Sequence, residues 1–475
     1  MGTRSKFLVF LLVIIFNSCT NSSSNNLAEQ EAQKQKPIVI ENVNIIPMTI
    51  DNKVIEGATV LIDDQKIISI NEAIPSGATV IDGTGKWLIP GLMDMHVHTN
   101  ADINFRENAP TQGATFFMDT QDVMTPYVAN GVTTIFDLGS RVEHFGQRNE
   151  IAKGAVIGPR MALTALIDGK LNNGRFVETA SDARQAVRSA KAEGYNFIKL
   201  YSSLNIESFK ATVDEANKQG LKVVGHIPNS FKGKIEEAFV PHFDLVAHAE
   251  EFSKQTKHKT KEDAQYFAQL AKENETWLIP NMIVMVCIGQ QSRSLDDIRA
   301  LKTLQYVPPI LQDKWLTSNQ YNKRSSPEFI AYIDTLIDFQ KELVKAFKEA
   351  GVPMLAGTDA GTSGLVSGFS LHDELELMVE AGLSTEETLL AATRLPAEWL
   401  GINNIVGTVE KGKYADLILL NANPLEEISN SRDISGVFVN GLWLDRKKID
   451  QMLANLAERN AASKGQFEWQ KRREY

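Results

Sequence analysis

His96 and His98 stand one residue apart in Ile89-Pro-Gly-Leu-Met-Asp-Met-His-Val-His-Thr99, directly after a short apolar run. On a strand, side chains at i and i+2 point to the same face. Both imidazoles therefore converge on one point at the strand's end, which is what a metal ion requires. A pair of histidines on one face of a buried strand is the plainer alternative, and a lone H-x-H does not decide between them.

Four further residues bear on that choice. Lys199 lies in Phe197-Ile-Lys-Leu-Tyr-Ser202, His226 in Val223-Val-Gly-His-Ile-Pro228, His248 in Val246-Ala-His-Ala-Glu-Glu251, and Asp359 in Leu355-Ala-Gly-Thr-Asp-Ala-Gly361. Each closes an apolar run of strand character. Singly, a histidine near a strand end is more often a hydrogen-bonded core residue. Jointly the pattern points to a site. Tyr201 shares a strand face with Lys199 and is expected to donate to an oxyanion, with core packing as its alternative. His372, in Ser370-Leu-His-Asp-Glu-Leu375, is expected to touch substrate or to begin a helix. Other catalytic plans fail: H-E-x-x-H, G-x-S-x-G and P-loop motifs are missing from the sequence.

Strand and helix alternate through the middle of the chain and would position these groups. Strands are expected at Met93–Val97, Thr133–Leu138, Met161–Ile167, Asn196–Tyr201, Lys222–Ile227, Leu245–Glu250, Trp277–Ile283 and Pro353–Asp359. Amphipathic helices such as Ser181–Glu193 and Ile206–Gln219 separate several of them. Such alternation indicates an α/β fold with a parallel (β/α)8 TIM-like barrel, whose active sites sit at C-terminal strand ends. All six candidates fall there.

Both flanks are β-rich: short strands with turns fill 37–91, and Val406–Val409, Asp416–Leu420 and Gly436–Val439 follow the barrel. The expected layout is a small composite β-sandwich domain from 37–91 and 402–445, interrupted by a barrel over 92–401. Residues 284–350 form an abnormally long connection, either a lid or an extension of the helical shell. Residues 446–475 are charged and helix-prone.

A formal net charge of −10 argues against nucleic acid or an anionic membrane surface as a partner. At the N-terminus, Arg4 and Lys6 precede ten apolar residues, Phe7 to Phe16, then Asn17-Ser18-Cys19. A helix of that length spans about 15 Å, half of a bilayer core of about 30 Å. The run reads as a signal peptide over 1–18, and Cys19 resembles a lipobox cysteine that carries lipid, with 19–36 as tether. Lipid would be the only membrane attachment, placing the chain outside the cytoplasm, with the periplasmic face of an outer membrane expected. Cys287 lies in an apolar run and is expected to be buried and inert. Oligomerisation is left open.

Residues 37–445 resemble the amidohydrolase superfamily, in its branch similar to imidazolonepropionases and prolidases. The matching passages are Leu88-Ile-Pro-Gly-Leu-Met-Asp-Met-His-Val-His98, Gly131-Val-Thr-Thr134, Gly158-Pro-Arg160, Gly225-His226, Ala356-Gly-Thr-Asp359 and Gly412-Lys-Tyr-Ala-Asp-Leu417. The resemblance implies that carbon dioxide adds to Lys199 as an N6-carboxylate bridging two divalent ions, zinc being expected. His96, His98 and Asp359 would hold one ion, and His226 and His248 the other. A bridging hydroxide would attack a small amide or dipeptide at its C–N bond, with Asp359 as general acid/base. Alternatives are a mononuclear amidohydrolase, a lactone, carbamate or phosphotriester hydrolase, and a non-catalytic metal- or ligand-binding lipoprotein. Related deaminases place a glutamate three residues after the strand-five histidine. Asn229 stands there, which disfavours deamination. Prolidase-like relatives often follow the strand-four lysine with a Gly-rich loop, where this chain has Ser202-Ser203-Leu204.

Overall fold

Seven short apolar segments, too brief for buried helices and bounded by polar turns, form the staves of a parallel sheet. The computed structural model describes residues 36–100, 102–104, 115–170 and 174–472. In chain order the staves are Leu92–Val97, Val132–Ser140, Arg160–Asp168, Phe197–Leu200, Lys222–Gly225, Leu245–Ala247 and Trp277–Ile279, each paired in parallel with its predecessor. The eighth stave is a run of isolated pairings. Met354 bridges Leu278 and Ala360 bridges Val97, while Leu355 N donates to Leu278 O (2.9 Å) and Met95 N to Ala356 O (2.9 Å). The barrel is thereby nearly closed. Gly357 allows this approach, since a Cβ there would lie 2.9 Å from His96 N and 2.7 Å from Ile279 Cγ2.

Inside the barrel, Met93, Met95, Phe136, Phe197, Leu245 and Leu355 are buried together. Phe197 stacks on Trp399, and Phe136 meets Phe197 edge to face. Each such side chain contributes about 1.5–3 kcal/mol through burial. Helices cover the outside, and their starts follow local chemistry. Thr179 and Asp182 form a capping box for Ala180–Glu193, Asn205 caps Ile206–Lys218, and Ser384 with Glu387 caps Thr385–Ala391.

Strands from both ends of the chain form one smaller mixed sheet. Leu417–Leu420 pairs antiparallel with Trp87–Pro90, which pairs in parallel with Ile38–Ile45, and Ile434–Val439 and Leu442–Asp445 extend the edge. Two expectations need correction. Val406–Val409 is not a strand, because Gly407 turns the chain at φ +94°, where a Cβ would lie 2.6 Å from that of Ala397. The seventh stave stops at Ile279: Pro280 donates no hydrogen bond, Asn281 is left-handed at φ 51°, and helix Met282–Arg293 begins.

Residues 284–350 do two things. Helix Pro327–Ala350 packs on Lys261–Glu273 as part of the outer shell. Asp296–Ala300 and Pro309–Thr317 form a separate apolar cluster with Phe116, Phe467 and Trp469. Helix Arg446–Ser463 lies against Thr120–Ala129, where Arg459 pairs with Asp122. Among the described residues no helix is long and apolar enough to cross a membrane. The expected signal peptide, tether and lipidated Cys19 lie outside the described residues.

Candidate metal centre

His96 is the fifth residue of the first stave and His98 follows its end, so the period of two brings both rings to the barrel mouth. Asp359 arrives from the eighth stave, where Asp359 N donates to His96 O at 2.6 Å. Asp359 Oδ1 lies 3.4 Å from His96 Nε2 and 3.1 Å from His98 Nε2. Tetrahedral ligands about 2.0–2.1 Å from an ion stand about 3.3 Å apart. All three ligand atoms fall within 4.8 Å of one another, and among the described residues nothing hydrogen-bonds the buried His96 Nε2. An orphaned imidazole nitrogen facing a carboxylate oxygen is the donor set a divalent ion fits. Burial works to raise the Asp359 carboxyl, but His96 and His98 outweigh it and hold it at about 2. Burial pushes the His96 ring well below the usual imidazole range. Both suit ligands that must bind without their protons.

Neighbouring groups fix these ligands. His96 Nδ1 meets Asn281 Oδ1 at 2.9 Å, which leaves Nε2 for the site. Asn281 is held at the head of its helix by Glu374, whose carboxyl accepts the Met282 and Ile283 amides at 3.1 and 2.8 Å. Asp94 accepts from the Thr358 amide (2.9 Å) and hydroxyl (2.6 Å), tying the first stave to the eighth one residue before Asp359. Asp137 does the same for the loop after His98, accepting from Thr99 N and Oγ1. His248 and Asp359 take φ of 77° and 60°, a left-handed geometry costly for such residues and concentrated at sites.

The remaining candidates gather nearby but do not complete a second set. The His248 ring lies 4.7 Å from His96 and 5.0 Å from His226, and Tyr201 lies 4.4 Å from His226. Among the described residues Lys199 Nζ is buried with no hydrogen-bond partner, and burial lowers it to about 7. Among the described residues, His96, His98 and Asp359 are the one group of three whose ligand atoms converge. Among the described residues no third His, Cys, Asp or Glu ligand atom converges with those of His226 and His248. His226 and His248 therefore lack the third ligand and the shared bridge. The expectation of two divalent ions, a carboxylated Lys199 and a metal-bridging hydroxide is overturned in favour of the mononuclear alternative.

His372 lies in the first turn of helix Phe369–Glu380, the second of its two expected places. Its Nδ1 meets Ser431 Oγ at 2.9 Å and its Nε2 meets Asn130 O at 3.2 Å, so a buried ring with both nitrogens used has none for substrate. Cys287 is buried beside Gln291, and burial pushes its thiol up to about 12. Asp94 was legible, lying two residues before His96 on the same strand face. Asn281 and Glu374 carried no spacing signal, because each acts across a tertiary contact.

The sequence model described as "Amidohydrolase family" matches residues 87–444. A 5-methylthioadenosine/S-adenosylhomocysteine deaminase of Bacillus cereus (strain AH820) is 22% identical over 451 residues, covering 84% of this chain and 92% of that protein. An enamidase of Eubacterium barkeri is 27% identical over 228 residues, covering 44% and 56%. The crystal structure of a putative prolidase from Bifidobacterium longum superposes with a TM-score of 0.63 at 22% identity, covering 89% of this chain and 99% of that one. The shared fold is thus established independently of sequence identity.

Proposed function

Since the chain belongs to the amidohydrolase family, we propose that it hydrolyses a C–N bond of a small amide or dipeptide with one divalent ion held by His96, His98 and Asp359. The convergence of these three donors on one point carries the reading. An ion there supplies Lewis acidity for a carbonyl and lowers the pKa of water. The chain's own groups do the rest. Asp359 directs Oδ1 at the two histidines, while Oδ2 accepts, among the described residues, only the Thr362 hydroxyl at 3.2 Å and is the oxygen placed to move a proton. The Lys199 amine, buried without a hydrogen-bond partner among the described residues, serves as a donor toward the substrate. Tyr201 and His226 form the adjoining wall. Asn229, where related deaminases carry an acid, supports amide cleavage over deamination. The names of the relatives (enamidase and prolidase) support the same bond class.

The test is metal content and turnover of the purified chain. About one ion per chain is expected, lost in His98→Ala and kept in Lys199→Ala, with hydrolysis of some member of a panel of dipeptides and N-acyl amino acids. A metal-loaded protein inert on the whole panel, or ion binding unchanged in His98→Ala, would overturn the reading. Export and lipidation at Cys19 belong to the proposal too, supported by the Phe7–Phe16 apolar run. Loss of lipid labelling in Cys19→Ala would check them.

A further inference from the structure

A third part of the long connection after the seventh stave belongs neither to the outer shell nor to the separate apolar cluster. Residues 318–321 turn between Pro309–Thr317 and the short helix Asn322–Arg324. Buried amides hold this turn. Asn319 is buried, and its Oδ1 accepts the Tyr321 and Asn322 amides, both at 3.0 Å. Asn319 Nδ2 donates to Gln291 Oε1 at 2.7 Å, and Asn322 Nδ2 donates to Gln291 O at 3.0 Å. Gln291, on helix Met282–Arg293, is buried as well, and its Nε2 donates to Ser363 O at 2.8 Å. Ser363 stands in the loop that follows Asp359. Gly364 lets that loop reach the helix, since a Cβ there would lie 3.0 Å from Gln291 Nε2 and closer still to Cys287 Sγ. A buried polar network with its donors and acceptors matched holds one arrangement. The turn is thus tied to the loop of the metal ligand.

Tyr321 is the side chain that this tie places. Its ring packs against the cluster of Val284, Cys287, Ile288 and Leu365. Burial pushes its phenol up, and the negative charges of Asp359 and Glu250 add to the rise. Glu250 follows the sixth stave and Asp359 belongs to the eighth, so a phenol that feels both lies over the seventh, at the barrel mouth. The Gln320 side chain opposes the rise, as a donor to the phenol oxygen does. The hydroxyl therefore keeps its proton at neutral pH and has it free for an acceptor.

We propose that Tyr321 contacts substrate, its hydroxyl donating to an acceptor oxygen outside the scissile amide, with Gln291 and Asn319 as the positioning residues that hold it there. The inference rests on the hydrolase reading above and narrows it to substrates that carry such an oxygen. The carboxylate of an N-acyl amino acid or dipeptide supplies one.

The test pairs a spectrum with kinetics on the metal-loaded full chain. With tyrosine labelled at 13Cζ, the Tyr321 signal is identified by its loss in Tyr321→Phe. N-acetyl amino acids should move that signal, and the N-acetyl alkylamines that lack only the carboxylate should leave it in place. On the substrate that wild type cleaves, Tyr321→Phe should raise KM about 10-fold with kcat within about threefold, as loss of one hydrogen bond to a charged group implies. Gln291→Ala should raise KM in the same way. On the counterpart without the carboxylate, wild type and Tyr321→Phe should be equal. Metal content equal to wild type shows that the variants are folded. A Tyr321 signal that no carboxylate-bearing ligand moves, or equal losses in Tyr321→Phe on both substrates, would overturn the proposal. The spectrum needs no turnover. A wild type that is inert yet answers to the carboxylate at Tyr321 would count against the hydrolase reading and leave the contact standing.

Discussion

Burial weakens proton binding at His96, His226, His248 and His372 alike, yet only His372 has both ring nitrogens occupied by structural partners. Its value falls to about 3, against an ordinary 6.5 in the unfolded chain. Between those values the unfolded chain binds a proton that the folded one refuses, so stability falls as pH drops from 6.5 toward 3. The slope approaches about 1.4 kcal/mol per pH unit for one group. His372→Gln removes this dependence. The difference in urea unfolding between wild type and variant should shrink on acidification from pH 7 to pH 5, and a difference independent of pH would count against a neutral buried ring. At this scale the metal ligands were legible, because strand periodicity and strand ends are written in sequence. His372 was not: its position shortly after Asp359 says nothing of Ser431 and Asn130, which meet it only once the chain has folded.

Among the elements, helix Met282–Arg293 is unusual in receiving its N-terminal cap from another helix. Asn281 offers no side-chain cap, and Glu374 of Phe369–Glu380 accepts the two first-turn amides instead. Burial raises the Glu374 carboxyl to about 8, and its two oxygens take one amide each, so Glu374→Gln keeps one acceptor and loses the other. Glu374→Ala leaves the amides unpaired, at about 1–3 kcal/mol for each buried group. It also frees Asn281, whose contact orients His96, and should weaken ion binding about 10-fold. Thermal unfolding and metal titration of both variants check this: Ala should lose stability and affinity together, and Gln, which keeps one of the two acceptors, should lose less of each. The element boundaries themselves were read unevenly. Runs such as Lys222–Gly225 stood out by composition, whereas the eighth stave pairs only at scattered points, and the overlong reading of the seventh came from counting Met282 and Ile283 as strand when Pro280 had already ended it.

At the scale of the whole molecule, the barrel and the mixed sheet are joined through residues far apart in sequence. Arg160, at the start of the third stave, donates through Nε to Asp416 Oδ2 at 2.7 Å and lies over the Tyr414 ring. Asp416 precedes Leu417–Leu420 of the mixed sheet, accepts from Asn440 N through Oδ1, and through its carbonyl receives Gly91 N just before the first stave. Asp416 thus ties the third stave, the entry to the first stave and the returning strands of the mixed sheet together, which gives a physical reason for the Gly158-Pro-Arg160 and Gly412–Leu417 passages that sequence alone marked only by resemblance. Burial pushes the Asp416 carboxyl up and Arg160 opposes it, so the charge depends on its partner. Arg160→Met should therefore cost about 3–5 kcal/mol by leaving a buried carboxylate unpaired. In Arg160→Met/Asp416→Asn the orphaned charge is gone, and a substantial part of the loss should return, a coupling that a double-mutant cycle in calorimetric unfolding measures directly. Because the pair lies at the stave starts and the metal centre at their ends, metal content should stay at wild-type level in every folded variant. Losses that simply add would show that the sheet and the barrel are stabilised independently and that this ion pair does not join them.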